Sequence, residues 1–267
     1  MFQSSNRTPL FVAMAALALL GAGGGYLYAQ RGSDEGGGAQ SALAAADRAS
    51  AAAGMSAADR KATEAVVRAY ILENPEILTE AAQILEQRAV AKRLDAAGDA
   101  LTTAFAAAVD GNAQGDVTLV EFTDYNCGFC RSSVADVQKL IGTDKNLRVV
   151  FREVPILSAS SREASKWALA AAKQGKHRAF HDAMFAGDKP SDASIRAAAQ
   201  KAGLNMAKAE ADANSDAVAT EIEANLAMMQ KLGVGGTPTF IIGDQILEGA
   251  LGYDALKQAV TNTRKKA

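Results

Sequence analysis

The sequence predicts an α/β fold: a mixed sheet with an inserted helical lobe, preceded by an N-terminal helical arm. Three observations carry that expectation. Two short apolar runs, Asp116–Phe122 (DVTLVEF) and Leu147–Val154 (LRVVFREV), flank a helical stretch, Ser132–Ile141, in the order of a βαβ unit. Ser158–Leu232 is largely helical in pattern, and Thr239–Leu247 (TFIIGDQIL) then reads as a hairpin around Gly243-Asp244. Far upstream, apolar residues at Val66, Val67, Tyr70 and Ile71, and again at Ile77, Leu78, Ala81, Ile84 and Leu85, recur with i, i+3, i+4, i+7 spacing.

Taken in chain order, Leu10–Ala29 carries no charge, follows Arg7 and precedes Arg31, and is about long enough to cross a bilayer as a helix. Residues 1–29 are therefore expected to be a membrane anchor or a signal peptide. Small residues near position 22 suit a cleavage site, while the apolar run to Tyr28 suits retention. Either way the rest of the chain is expected in the periplasm, anchored in the inner membrane or soluble after cleavage, where disulfides persist. Residues 30–58 read as a Gly- and Ala-rich linker.

Residues 59–108 read as a helical arm, with Ser56 as a cap for the turn holding Asp59 and with Asn74-Pro75 as the N-cap and first position of a second helix. An apolar stripe of this length must be buried, either by packing back on its own domain or, as expected of a homo-oligomer, by joining copies of the chain through residues 59–108. A turn is expected at Asp110-Gly111-Asn112. Residues 112–267 are expected to form the main domain, with its insertion at about 158–232 and a last helix over Tyr253–Lys265.

The net charge of -2, from 28 basic and 30 acidic residues, excludes an electrostatic footprint for nucleic acid. The chain has two cysteines, in the run Cys127-Gly128-Phe129-Cys130, so no framework of structural disulfides exists. At a helix start the first sulfur meets unpaired backbone N–H groups and the positive end of the helix dipole, which favour the thiolate. Cys130, one turn on, is placed to resolve a mixed disulfide. As a staple the pair is weak, because so small a ring removes little unfolded-chain entropy. A zinc site lacks a second C-x-x-C. The two histidines, His177 and His181, stand at the i, i+4 spacing that can bind metal but lie far along the chain, so neither metal nor cofactor is expected. Trp167, Phe180, Met184 and Phe185 read as core of the helical lobe.

The segments VEFTDYNCGFC, FREVPIL, FHDAMF and GVGGTPTFIIG, in this order, resemble the thioredoxin-fold disulfide oxidoreductases of the DsbA superfamily, from Asp116 to the C-terminus. ATEAVVRAYILENPEILTEAAQIL resembles the N-terminal region of the suppressor-of-copper-sensitivity C and Com-type branch. The resemblance implies that Gly236-Thr237-Pro238 is the loop whose proline is cis and lies against the cysteines, with Thr237 offering backbone hydrogen bonds to an extended substrate. It also implies that Glu121 is the acid beneath the redox pair. Glu121 shares a strand face with Leu119, and a buried carboxyl there would carry a raised pKa and ferry a proton to or from Cys130. Gly128-Phe129 is similar to the Gly-aromatic pair of family isomerases and would meet substrate. With Thr237 it implies a disulfide isomerase or reductase, a dithiol oxidase being the alternative and copper binding the alternative of another class. The implied partners are cysteine-containing protein substrates and a membrane redox partner that resets the pair.

Overall fold

The computed structural model describes residues 44–266; the segment expected to be an anchor or signal, and residues 30–43 of the linker, lie outside them. Among the described residues no helix is long and apolar enough to cross a membrane. The chain divides into two units, one ending at Thr79 and the other starting at Glu80.

The first unit holds helical residues 44–52 (α1), helix α2 (Ala57–Glu73) and the start of α3 (Glu76–Ala97). Ser56 caps α2 as expected: the Asp59 N–H donates to Ser56 Oγ at 3.2 Å and the Ser56 N–H donates back to the Asp59 carboxylate at 3.1 Å. Asn74 stands at both helix ends: its carbonyl accepts the Ile77 N–H at 3.2 Å at the start of α3. Its backbone N–H and its side-chain amide both donate to the Tyr70 carbonyl, so it closes α2. Pro75, which has no N–H to lose, directly precedes the first residue of α3. Helix α2 buries none of its residues, and Val66, Val67, Tyr70 and Leu72 stand exposed.

The second unit continues through α3, α4 (Asp99–Thr102), β1 (Val109–Gly111), β2 (Val117–Thr123), α5 (Gly128–Thr143) and β3 (Leu147–Glu153). Five helices follow: α6 (Ala159–Lys173), α7 (His177–Ala186), α8 (Asp192–Lys201), α9 (Met206–Ala213) and α10 (Asp216–Leu232). The chain ends with β4 (Thr239–Ile242), β5 (Gln245–Glu248) and α11 (Tyr253–Lys266). The strands form one mixed sheet in the order β1-β3-β2-β4-β5, with β2 and β3 parallel and joined across α5, and every other pairing antiparallel. Strand alternation sorts its two faces. Leu119, Val149, Phe151 and Ile242 pack with Val137 and Leu140 of α5 and Leu256 and Val260 of α11. Val120, Phe122, Val150 and Ile241 pack on the other side with Met229 and Leu232 of α10, and with Leu94 and Leu101 from the segment around α4. The lobe has its own core around Trp167, Phe180, Met184 and Phe185, which runs up to Tyr125 and the two cysteines.

One boundary differs from expectation. Asp110 and Gly111 belong to an edge strand, Val109 pairing with Val150, and the turn starts only at Asn112, whose N–H donates to the Leu147 carbonyl at 2.8 Å. Gly111 has φ +73°, and a Cβ there would collide with that same carbonyl, so glycine lets strand pairing and turn share one residue. Helix α5 starts at Gly128, at the cysteine pair as the C-x-x-C spacing leads one to expect, and Cys127 supplies its side-chain cap.

Arg152, buried on the α10 face, ties the elements together. It donates to Glu221 Oε1 at 3.0 Å and Asn225 Oδ1 at 3.1 Å, and to the carbonyls of Ala100, Leu101 and Thr103. Arg152→Met should cost about 3 kcal/mol, since it strands several buried acceptors, and should lower the midpoint of guanidinium unfolding without changing the slope.

Candidate active site

Strand β2 ends at Thr123, and the next four residues turn the chain into α5. Asp124 makes that turn. Its Oδ1 accepts the Asn126 N–H at 2.8 Å, and its carbonyl accepts the Cys127 N–H at 3.0 Å. Its Oδ2 accepts the N–H groups of Ile156 and Leu157 at 2.9 and 3.0 Å, which pins the loop after β3 beside the cysteines. Asp124 is fully buried. In the sequence, an Asp two residues before Asn126 at a strand end is the mark of such a turn.

Cys127 is the N-cap of α5, and its sulfur accepts the Cys130 N–H at 3.3 Å. Its thiol donates to the Thr237 carbonyl at 3.1 Å. The Thr237–Pro238 bond is cis, and the loop is anchored by the Gly249 N–H on the Pro238 carbonyl and by the Thr239 hydroxyl on the Gly236 carbonyl, each at 2.8 Å. Gly128 is exposed, and Phe129 is 69% exposed beside the pair. Both cysteines are free thiols. Cys130 is fully buried, and that burial pushes its thiol well above the ordinary range.

Glu121 lies in the middle of β2, paired with Phe151 on one side and Phe240 on the other, close enough to act electrostatically on Cys130. Its pKa is raised to about 8, first by burial and then by the charge of Glu153, with no hydrogen bond to offset them. The seven residues expected at the site divide accordingly. Cys127, Gly128, Phe129, Thr237 and Pro238 gather at the start of α5, and Cys130 and Glu121 lie below them in the core.

His177 and His181 lie on α7, buried beside Glu153 of β3. His177 Nε2 is 3.1 Å from Glu153 Oε1, the Tyr125 hydroxyl donates to the same oxygen at 3.1 Å, and Ser165 donates to Oε2 at 3.2 Å. The Tyr125 hydroxyl also lies 3.3 Å from His181 Nδ1. The i, i+4 spacing drew notice to the histidines, but nothing local points to Glu153, which reaches them across 24 residues of chain.

Two outcomes follow from this geometry. Brief alkylation of the reduced protein should label Cys127 well before Cys130, as read by peptide mass spectrometry, because Cys127 lies at the surface end of the pair and Cys130 holds its proton. For Glu121, a folded pKa above the unfolded one means that the stability it contributes is complete below about 4.5 and lost as pH rises through about 8. Glu121→Gln should therefore unfold at a temperature roughly 5 °C higher than the parent at pH 8, and at the same temperature at pH 4.

Comparison with known proteins places this geometry. Residues 118–261 match the family model of the DSBA-like thioredoxin domain, and residues 59–92 match the copper resistance protein ScsC N-terminal domain. Among solved structures, a thioredoxin-like oxidoreductase from Silicibacter pomeroyi DSS-3 is 40% identical with a TM-score of 0.61, over 64% of this chain and 99% of that one. A linker-deletion mutant of ScsC from Proteus mirabilis is 30% identical with a TM-score of 0.63, over 80% of this chain and 98% of that one. The thiol-disulfide exchange protein alpha-DsbA2 from Wolbachia pipientis is 29% identical with a TM-score of 0.62, over 67% and 97%. The curated relatives are longer: the Na(+)/H(+) antiporter NhaA 1 of Salinispora arenicola is 27% identical over 58% of this chain, which spans about a quarter, 24%, of that protein. Since the domain match runs from β2 to α11 and takes in both cysteines and the cis-proline loop, the chain belongs to the DSBA-like thioredoxin domain family, with an N-terminal segment of ScsC type.

Proposed function

We propose that this chain is a thiol–disulfide oxidoreductase that works through Cys127 and Cys130, and that it acts as an isomerase or reductase on proteins outside the cytoplasm. The observation that carries the reading is the position of the Cys127 sulfur: at the N-terminus of α5, holding the Cys130 N–H, across from the Thr237 carbonyl. The Cys127 thiolate attacks one sulfur of a substrate disulfide, giving a mixed disulfide, and the other substrate sulfur leaves and takes up a proton. Cys130 then loses its proton to the Glu121 carboxylate and attacks Cys127 Sγ, and the second substrate sulfur leaves as a thiolate and takes up a proton from solvent. The substrate gains two electrons and two protons, and the protein is left with a Cys127–Cys130 disulfide for a membrane redox partner to reduce. If a thiol of the substrate attacks the mixed disulfide first, the substrate bond is rearranged and Cys127 returns unchanged.

The thiol-disulfide exchange and oxidoreductase names of the structural neighbours support the reaction class. Gly128-Phe129 and Thr237 favour isomerase over oxidase. The transport activity named for the antiporters is not carried over, because only 24% of such a protein is matched. Action in the periplasm rests on the apolar run Leu10–Ala29 and on the need for a compartment that lets disulfides persist.

The arm supplies the second part of the reading. Val66, Val67, Tyr70 and Leu72 on α2 and Leu78, Ile84 and Leu85 on α3 are exposed, a larger apolar set than a monomer ordinarily leaves in water. Self-association through it would set several redox pairs around one substrate. Since Leu94 and Leu101 belong to the core of the second unit, the clean cut is at Thr79. Removing residues 1–79 should leave a monomer that reduces insulin at the rate of the protein lacking only residues 1–40 but restores scrambled multi-disulfide substrates at least tenfold more slowly. Sedimentation and refolding assays read the two halves. A monomeric arm-containing form would remove the arm from the mechanism, and a strongly oxidising potential of the pair would make the enzyme an oxidase.

A further inference from the structure

Glu153 is a fully buried carboxylate that the exchange reaction as described does not use. Strand register sets it near the proton carrier. Glu121 is level with Phe151 and Thr123 with Glu153, so the two acids are diagonal neighbours on one face of adjacent parallel strands.

Burial raises the pKa of Glu153, and its neighbours work against that rise. Tyr125, Ser165 and His177 all reach its oxygens, and each offsets the cost of burial that otherwise drives a carboxyl to keep its proton. His181, the other neighbour of Tyr125, is held neutral by its burial. Arg152, next in the chain, points to the opposite face and binds Glu221 and Asn225. Glu121 itself borders a small cavity whose other charged groups are Asp110, Arg178 and Asp182, and Arg178 pairs with both aspartates. His181 lines the same cavity, and Tyr125 and, on α5, Cys130 are further titratable neighbours of Glu121.

Resting on the exchange reaction proposed above, we infer that Glu153 is a positioning residue for proton transfer: its buried carboxylate governs when Glu121 takes and returns the proton of Cys130. In the resolving step the Cys130 S–H bond breaks, the proton passes to Glu121, the Cys127–Cys130 bond forms and the substrate sulfur leaves. Neutralising Glu121 also ends its repulsion with Glu153, so the second acid draws the proton off the thiol. In the reverse direction the same repulsion returns once Glu121 gives the proton up, and it resists that loss.

The test is a carboxyl carbon NMR titration of Glu121 in the full chain, beside the pH profile of insulin reduction. In Glu153→Gln the midpoint of Glu121 should fall by one pH unit or more from about 8, and the acid limb of the rate profile should move down with it. Tyr125→Phe, which removes one donor from Glu153 and lets that acid neutralise itself more readily, should move both in the same direction by less. This variant keeps the test open if Glu153→Gln does not fold. A Glu121 midpoint unchanged in a folded variant overturns the inference. The titration needs no substrate, so a Glu121 midpoint that shifts in a protein without exchange activity would uphold the coupling and reject only the reaction.

Discussion

Cys127 caps the start of helix α5, and much of the second unit serves to hold that start in place. A helix N-terminus has N–H groups without partners, and here one of them is given to a sulfur. For the sulfur to stay there, the chain must leave β2 at one angle, which Asp124 sets with two side-chain oxygens and three backbone N–H groups. The cis-proline loop must then bring the Thr237 carbonyl within 3.1 Å of the thiol, which the antiparallel pairing of β4 with β2 achieves by entering the sheet just after Pro238. The parallel β2–β3 pair puts all of this at the carboxyl end of its strands, where α/β folds open their sites.

Three buried carboxylates lie beneath that start, and they are handled in different ways. Asp124 is surrounded by backbone donors, and Glu153 by hydroxyls and an imidazole. Glu121 has neither, and its proton is what makes its burial tolerable. A group left in that condition destabilises the fold near neutral pH. Such a liability is expected where a proton must be taken and released beside a reacting thiol.

The arm follows a different physics. Helix α2 is well capped, by Ser56 and Asp59 at one end and Asn74 at the other, yet buries none of its residues. Capping supplies local stability, while its apolar side chains add nothing until something covers them. Helix α3 changes character along its length: its early turns expose Leu78, Ile84 and Leu85, and its last turns place Val90 and Leu94 against the core of the second unit.

Periodicity and punctuation alone determined the order of the elements, because each depends on contacts within a few residues. The two-residue alternation of β2 and β3, the Gly243-Asp244 turn and the Ser56 cap are of this kind, and so is the C-x-x-C spacing that names the chemistry. Motif resemblance added Thr237, Pro238 and Glu121 to the candidate site. Tertiary structure decided what depends on meetings between distant segments. It made Asp110 and Gly111 an edge strand, because β3 offered a free side to pair with. It turned Asn74 back onto Tyr70. It also brought Glu153 of β3, Tyr125 beyond β2, Ser165 of α6 and His177 of α7 into one hydrogen-bonded group. No pattern along the chain announces that group, since a carboxylate at a strand end looks the same in sequence whether it faces water or a histidine.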